Sequence, residues 1–179
     1  ARGYGALTWV DASGNLWLFG GYGYASVGVQ GALNDLWKYD IASNQWTWMK
    51  GPNLVNDPGS YGTQGISNPA NLPSSRSETS CSWTDNAGNL WLYGGDKSRD
   101  DLWKYDIVVN EWTWMHGANT FNPPAVYGIQ GVASPANTPG ARMVYCSWTD
   151  LAGNLWLFGG GNLIARYNDL WKYDIATYQ

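Results

Sequence analysis

One short segment occurs three times in this chain with little change. Leu-Trp-Leu, followed by an aromatic residue and Gly-Gly, starts at Leu16, Leu90 and Leu155. A second shared segment, Asp-Leu-Trp-Lys-Tyr-Asp, follows each copy and starts at Asp35, Asp101 and Asp169. The unit therefore repeats about every 66 residues, and a period of this kind is typical of solenoids, propellers and other arrays.

Composition favours a flat, aromatic, turn-rich β protein. The 179 residues include 13 Trp, 12 Tyr and 23 Gly, and only 13% are charged. Gly and Pro interrupt the chain too often for a long helix, and no stretch keeps apolar residues at helical spacing. The net charge of -4 argues against nucleic acid or an anionic membrane as the main partner. No apolar run approaches the roughly 18 residues that a membrane span needs.

The sequence of each unit predicts up to four short strands separated by turn residues. The alternation of apolar residues and the Gly, Asn and Asp between the runs set the bounds. The Gly-Gly pair is expected to stop each second strand. The predicted strands cover residues 6–10, 16–20, 35–39 and 45–49, then 80–84, 90–93, 102–105 and 111–115, then 145–149, 155–158 and 170–173.

The second strand of each unit is apolar on both faces. In the second unit, Leu90 and Leu92 point one way, and Trp91 and Tyr93 point the other way. A strand of this kind is buried on both sides. Four-stranded antiparallel sheets that cover one another are the blades of a β-propeller. We therefore expect the second-strand Trp residues, including Trp17 and Trp156, to pack between blades.

These motifs resemble the kelch repeat. The features that carry the resemblance are the Gly-Gly after an apolar strand, the segments at residues 34–40, 100–106 and 168–174, and the following Trp46 or Trp112. The resemblance implies an all-β kelch-like β-propeller fragment, with one four-stranded antiparallel blade per repeat in a ring usually of six or seven. It is nearest to the long bacterial repeats that resemble the propeller of galactose oxidase-like proteins. The unit of about 66 residues departs from the kelch norm of about 50, and the excess follows the fourth strand.

About two and three-quarter blades are expected. Blade 1 covers residues 1–50, link 1 covers 51–77, blade 2 covers 78–116, link 2 covers 117–143, and blade 3 covers 144–179 without its outer strand. A propeller needs roughly four to eight blades. We therefore expect this segment to be part of a longer chain or to complete its ring against other subunits.

Variation concentrates on one face of the predicted ring. The second turns differ in length and sequence, and they emerge on the same face as the two links; we call this the variable-loop face. The first and third turns are short and nearly invariant. Loops on a rigid scaffold usually carry recognition. The candidate binding residues are Tyr22, Tyr24 and Tyr167 on second turns, Arg76 and Arg142 at link ends, and Arg99 in a charge cluster with Asp96 and Lys97.

The sequence allows two roles for the arginines at the link ends. Arg76 and Arg142, with Arg2 at the corresponding place, could donate to carbonyls or an acidic side chain, or they could ring the channel mouth and hold an anionic ligand.

Catalytic chemistry is scarce in the sequence. A copper radical site like that of galactose oxidase needs two His, and His116 is the only His. The two Cys residues, Cys81 and Cys146, occupy equivalent strand positions and are expected to be buried free thiols rather than zinc ligands. The turn Asp residues are expected to form turns, with calcium between paired turns as the alternative. We therefore expect no enzyme activity, no catalytic residues, no metal and no cofactor.

The sequence favours a non-catalytic propeller that serves as a binding or structural scaffold for protein-protein interaction. The first alternative is lectin-like glycan binding through loop aromatics. The second is the propeller part of an enzyme whose catalytic residues lie outside this segment. The many Asn, Gly and Trp and the few charges suggest an extracellular or cell-surface location. A protein partner or other subunits, and possible glycan, are the expected partners, with no nucleic acid and no membrane insertion.

Overall fold

The structure is a computed structural model that describes residues 2–26, 28–78, 81–95, 99–143 and 145–179. Within these ranges it contains strands, turns and bends and no helix, and hence no helix long and apolar enough to cross a membrane. The strands are β1 (Arg2–Tyr4), β2 (Leu7–Val10), β3 (Leu16–Tyr24), β4 (Gln30–Asp40), β5 (Gln45–Lys50), β6 (Cys81–Thr84), β7 (Leu90–Gly95), β8 (Arg99–Asp106), β9 (Glu111–His116), β10 (Cys146–Thr149), β11 (Leu155–Phe158) and β12 (Leu170–Tyr173).

The strands form three antiparallel sheets, one for each repeat unit. Sheet 1 has the order β1-β3-β4-β5 with β2 also on β3, sheet 2 has β6-β7-β8-β9, and sheet 3 has β10-β11-β12. The register is the same in all three, since Trp9 faces Trp17, Trp83 faces Trp91 and Trp148 faces Trp156. This arrangement confirms the predicted sheets, apart from residue 80, which lies outside the described residues.

The sheets stack face to face, and sheet 2 is covered on both sides. Leu90 and Leu92 pack with residues of sheet 1 in one apolar cluster. Trp91 and Tyr93 pack with Leu155 and other residues of sheet 3 in a second cluster. These opposite directions confirm the two-sided burial that the sequence predicted. The chain is thus an all-β protein whose sheets stack in the manner of propeller blades.

The innermost strands of neighbouring sheets lie next to each other. β6 contacts both β2 and β10. The Trp9 indole in β2 donates a hydrogen bond to the Trp91 carbonyl at 3.0 Å, and Trp83 in β6 donates to the Trp156 carbonyl at 3.3 Å. A Trp side chain of β2 and one of β6 therefore each hold the second strand of the following sheet.

The Gly-Gly pairs act differently from the prediction in the first two sheets. β3 continues through Gly20 and Gly21, and β7 continues to Gly95, with a shift of register at each pair. Gly20 has φ of 62°. A Cβ there would lie 2.8 Å from the Arg76 carbonyl oxygen. The first two pairs are therefore bulges that allow another backbone to approach, rather than strand ends. Strand β1, which pairs with the extended part of β3, was not predicted.

The expected burial holds for Trp17 and Trp91 and is wrong for Trp156. Trp17 contacts Tyr105 of sheet 2, and Trp91 contacts Tyr173 of sheet 3, at centroid distances of 5.7 and 5.8 Å. Trp156 is half-buried, because within the described residues there is no sheet beyond sheet 3. Cys146 differs from the prediction for the same reason: Cys81 is a buried free thiol, whereas Cys146 is an exposed one.

The outward faces of sheets 1 and 3 both expose large apolar side chains. Trp46 and Trp48 in β5 are 54% and 49% exposed. In sheet 3, Trp148 and Phe158 are 42% and 45% exposed. Of the corresponding side chains of sheet 2, Trp83, Tyr93 and Trp112 are buried against its neighbours and Trp114 is half-buried against Tyr61 of link 1, so these two faces are the unpaired halves of an interface that the chain already contains twice.

Replacement of Trp91 by Ala tests the packing role of the second-strand Trp. Trp91 is 1% exposed, and its indole donates to Asp85 at 2.7 Å. We expect Trp91→Ala to lower the free energy of unfolding by about 3 to 5 kcal/mol, the range for large aromatic residues in cores. Trp156→Ala removes the same side chain at a half-exposed position and should cost clearly less. Urea unfolding of both variants measures this, and equal losses would contradict the assignment.

Candidate functional site

Arg76 and Arg142 at the link ends, and Arg2 at the corresponding place in the first unit, each pair with the Asp that opens the Asp-Leu-Trp segment of their own repeat unit. The pairs are Arg2 with Asp35, Arg76 with Asp101 and Arg142 with Asp169. The Trp two residues after each Asp also donates its indole N–H to that carboxylate, at 2.7 to 2.8 Å. The three repeat units therefore build the same Asp-centred network at the base of the variable-loop face.

The central pair is fully buried. The side chains of Arg76 and Asp101 are both 0% exposed. Arg76 donates to both carboxylate oxygens, at 2.9 and 2.7 Å, and also to the carbonyl oxygens of Gly94 and Ser74. Burial alone would raise the pKa of Asp101, but the charge of Arg76 and hydrogen bonds from Arg76, Trp103 and Tyr61 hold that pKa below its usual value.

A link tyrosine completes each of the two networks that follow a link. The Tyr61 hydroxyl donates to Asp101 at 2.7 Å, and Tyr127 donates to Asp169 at 2.8 Å. Burial is the main cause that raises the pKa of Tyr61 to about 12. Its hydroxyl therefore remains a hydrogen-bond donor to the carboxylate at neutral pH.

The same arginines join each sheet to the previous one through their backbones. The Arg76 carbonyl accepts from Gly21 N at 2.8 Å, and its N–H donates to the Leu33 carbonyl at 3.0 Å. The Arg142 backbone makes the corresponding, longer contacts with Gly95 and Arg99, both at 3.4 Å. Each link end is therefore held between two sheets, with its backbone on one and its side chain on the other.

Contacts between second turns and links bring these segments together on one face. The Ser26 N–H in the β3-β4 turn donates to the Asn53 side chain at 2.9 Å, and the Asn56 N–H donates to the Ala32 carbonyl at 2.7 Å. In the next unit, the Ala118 N–H donates to the Asp100 carboxylate at 2.9 Å. The structure thus has second turns and links on a common face, as the parity of the strands predicted.

The two arginines proposed for binding are occupied within the fold. Arg142, like Arg76, has no exposed side-chain surface, and it donates to Asp169 and to the Gly159 carbonyl. The Tyr167 ring covers the Arg142 guanidinium at 4.3 Å from the ring centroid. These contacts favour the first of the two readings of the arginines, in which they donate to carbonyls and an acidic side chain.

Of the remaining candidate residues, Tyr22 and Tyr24 lie together at the end of β3, whereas Arg99 is in sheet 2. Tyr22 is half-buried and stacks on Tyr4 with ring centroids 5.4 Å apart, whereas Tyr24 is half-exposed. Arg99 begins β8, and its guanidinium lies 3.5 Å from the Tyr61 hydroxyl. Of the predicted charge cluster of Asp96, Lys97, Arg99, Asp100 and Asp101, residues 96 and 97 lie outside the described residues.

His116 has a counterpart in the first unit that explains its position. Its Nε2 lies 2.9 Å from the Pro135 carbonyl in link 2, and the Lys50 ammonium donates to the Pro69 carbonyl in link 1 at 2.8 Å. Both basic side chains therefore hold the link that follows them in place.

The Cys81 thiol is unreactive at neutral pH. Burial is the main cause that raises its pKa well above the usual value, so this thiol stays protonated.

The first-turn Asp residues are saturated by hydrogen bonds from their own turns. Asp11 accepts from the N–H groups of Ser13 and Asn15 and from the Trp17 indole, at 2.9 Å each. Asp85 and Asp150 repeat this pattern with Trp91 and Trp156. In the described part of the chain, no group of three or more His, Cys, Asp or Glu side chains is placed to hold a metal ion.

The Asp residues that hold the arginines and the Trp indoles were not among the predicted site residues. Asp35 and Asp169 were expected only to open a shared strand segment, and Asp101 was also expected to belong to the charge cluster around Arg99. The signal was present in three copies: an Arg at each link end or, for Arg2, at the corresponding place, an Asp opening each Asp-Leu-Trp segment, and a Trp two positions later.

Comparison with known proteins shows the fold alone. No protein-family model matches the chain, and no curated protein matches it. One solved structure of similar fold is that of YjhT, which covers 96% of this chain with a TM-score of 0.59 and 15% sequence identity. This chain spans about half of that protein, 49% of its length. The kelch resemblance therefore stays a prediction.

The pH dependence of unfolding tests the buried pair. Because the folded pKa of Asp101 lies below the roughly 3.9 of an unfolded Asp, its ionisation stabilises the fold above about pH 4, and this contribution is lost as the pH falls further. We expect Asp101→Asn to cost roughly 3 to 5 kcal/mol at neutral pH, the range for breaking a buried pair. The difference from the wild type should narrow between about pH 4 and pH 2.

Asp174→Asn is the matched control, since its pair with Lys172 at 3.2 Å is exposed and its loss should cost much less than the loss of the buried pair. Urea unfolding across this pH range is the measurement. A difference that stays constant with pH would contradict the role of the Asp101 carboxylate.

Proposed function

We propose that this chain is a non-catalytic propeller segment of the kelch type that acts as a scaffold for protein-protein interaction through its variable-loop face. The observation that supports this most directly is the difference between the polar residues that occur in every unit and the second-turn residues that occur once. The repeated polar side chains make hydrogen bonds within the fold, while the second turns, which differ in length and sequence among the units, project from it.

The variable-loop face offers apolar side chains suited to a protein partner. Phe121 in link 2 is 76% exposed, and Leu163 and Ile164 in the β11-β12 turn are 80% and 82% exposed. Exposed apolar side chains rimmed by polar residues are typical of protein interaction sites. The opposite face also exposes apolar residues, such as Val108 and Leu151 at 87% and 103%, so the choice of face needs a direct test.

Two double variants with similar exposure decide between the faces. A display library of genomic fragments from the source organism is selected against the immobilised chain, and the selected binders are measured again with both variants. We expect Leu163→Ser with Ile164→Ser to weaken binding at least tenfold. Val108→Ser with Leu151→Ser, on the first-turn and third-turn face, should leave affinity unchanged. Binders that respond only to the second pair would contradict the proposal.

Lectin-like glycan binding is the second candidate, and one cluster favours it. Tyr4 and Tyr22 stack with an interplanar angle of 17°, and Tyr4 and Tyr24 are 55% and 50% exposed. All three lie where β1 meets the extended end of β3. Exposed aromatic rings of this kind present apolar faces with hydroxyl groups at the edge, which suits a sugar ring.

A glycan array with the purified chain tests this candidate. We expect retained glycans to be lost, with at least a tenfold drop in signal, from Tyr24→Ala. The control is Tyr178→Ala, which removes a tyrosine of similar exposure, 51%, in a third turn on the other face. An array without any retained glycan, or equal losses from the two variants, would count against sugar binding.

We further propose an extracellular or cell-surface location and a cover for the outward faces of sheets 1 and 3, from a longer chain or from other subunits. The exposed aromatic residues on both faces support such a cover. An enzyme whose catalytic residues lie outside this segment is the third candidate. It draws its only support from the shared propeller architecture.

A further inference from the structure

Asp100, at the start of β8, is a buried carboxylate that holds both ends of link 2. It is 1% exposed. The Ala118 N–H, at the beginning of the link, donates to one carboxylate oxygen at 2.9 Å, and the Thr138 hydroxyl, near its end, donates to the other at 3.0 Å. No salt bridge within the described residues involves Asp100. Its charge is therefore met by hydrogen bonds alone.

The other two repeat units have an uncharged residue at the place of Asp100. These residues are Asn34 and Asn168. Asn34 is 0% exposed, and its amide nitrogen donates to the Asp57 carboxylate and to the Pro73 carbonyl, at 3.0 Å each. Link 1 therefore supplies acceptors at this place, and acceptors suit an amide.

Two sequence differences between the links give link 2 donors instead. Pro52, which has no N–H, corresponds to Ala118. Leu72, which has no hydroxyl, corresponds to Thr138, because each forms the β-bridge within its link. The Asn34 amide oxygen accordingly is buried without a donor among the described residues, whereas link 2 supplies two donors to a carboxylate.

The contacts of Asp100 suit both of its protonation states. A hydroxyl group both donates and accepts, so Thr138 can donate to the carboxylate or accept from the protonated carboxyl group. The Ala118 N–H donates to the other oxygen, which stays an acceptor in either state. Uptake of a proton therefore removes the charge without breaking the two contacts with link 2.

Burial raises the pKa of Asp100 more than the hydrogen bonds from Ala118 and Thr138 lower it. The charge of Asp101, the next residue in β8, also raises this pKa, and the charge of His116 in β9 lowers it. The carboxyl group is thus easier to protonate in the folded chain than in water.

The other ionisable groups around Asp100 do not neutralise it. Burial, followed by the charge of Asp100, raises the pKa of Tyr93 in β7 well above its usual value, so this tyrosine is uncharged. Arg142 at the end of link 2 pairs with Asp169. Arg99 begins the same strand and makes no salt bridge to Asp100.

We propose that Asp100 makes the attachment of link 2 to sheet 2 dependent on pH, so that link 2 is held more firmly in mild acid than at neutral pH. Opening of the link exposes the carboxyl group to water, where its pKa returns to about 3.9. The closed state therefore binds the proton more tightly than the open state, and a falling pH favours the closed state while Asp100 takes up its proton. This inference does not depend on the proposed function.

Hydrogen exchange of the whole chain, corrected for the intrinsic rate at each pH, measures the opening of the links. The amides of Ala118, Val126 and Thr138 report on link 2, because the last two bond to each other's carbonyl groups. The amides of Ser60 and Leu72 form the corresponding pair in link 1 and are the control within the same molecule.

We expect the protection of the link 2 amides to rise as the pH falls from about 7 to about 4, by as much as about tenfold per pH unit while one proton is taken up. The protection of the link 1 amides, beside Asn34, should stay constant. Asp100→Asn introduces the uncharged side chain of the other two units and should keep link 2 equally protected at each pH. His116→Gln should preserve the dependence on pH, because the titrating group is Asp100.

The titration of the Asp100 carboxyl carbon, followed by NMR in the wild-type chain, is a second readout that needs no variant to fold. We expect its midpoint to lie above that of Asp174, whose pKa is lowered by hydrogen bonds from Lys172 and from its own turn. A midpoint at or below about 3.9 would overturn the proposal. The same pH dependence in both links, or a dependence that persists in Asp100→Asn, would also overturn it.

Discussion

The fold depends on the arginine at the end of each link, because a buried guanidinium must find compensation for its lost hydration. Arg76 satisfies this with a carboxylate, two carbonyl oxygens and no contact with solvent. Its backbone meanwhile bonds to the preceding sheet. The geometry of this residue therefore fixes where one sheet ends and how the next one is placed. Between these fixed ends the two links share a conformation, and the loop variation of the chain is found in the second turns.

This constraint also separates structure from recognition. The Asp at the start of each Asp-Leu-Trp segment accepts hydrogen bonds from Arg and Trp, and in two units from Tyr, and the first-turn Asp accepts from its own turn and from the following Trp. Not every repeated polar group is satisfied, since Asn34 Oδ1, Trp112 Nε1 and the Tyr173 hydroxyl are buried without a hydrogen-bond partner among the described residues. In the proposed scaffold, specificity for a partner comes from residues that occur once, such as Phe121, Leu163 and Tyr24.

Strands and facing residues could be predicted from the sequence because period-two alternation and threefold repetition agree at every position of the strands. The exposure of the two outward faces could not be predicted in this way. Trp156 has the same local sequence as Trp91, and only the presence of a following sheet distinguishes their burial. Two roles for Arg76 were open, since an arginine that binds a ligand and one that binds Asp101 lie at the same end of a link. Strand β1 and the Gly-Gly bulges were missed because they depend on the approach of another backbone, as at Gly20.

The length of the repeat now has a physical explanation. An exposed outer strand offers unpaired N–H and C=O groups, and proteins protect such edges with loops or other cover. Link 1 does this for β9, where Gly65 and Asn71 donate to the outward carbonyl groups of Trp114 and Trp112. The residues that make this repeat longer than a kelch repeat of about 50 residues lie in these links. Link 2 adopts the same conformation, since Val126 bridges Thr138 as Ser60 bridges Leu72 in link 1, so the extra length of the repeat is an ordered cover rather than a loose loop.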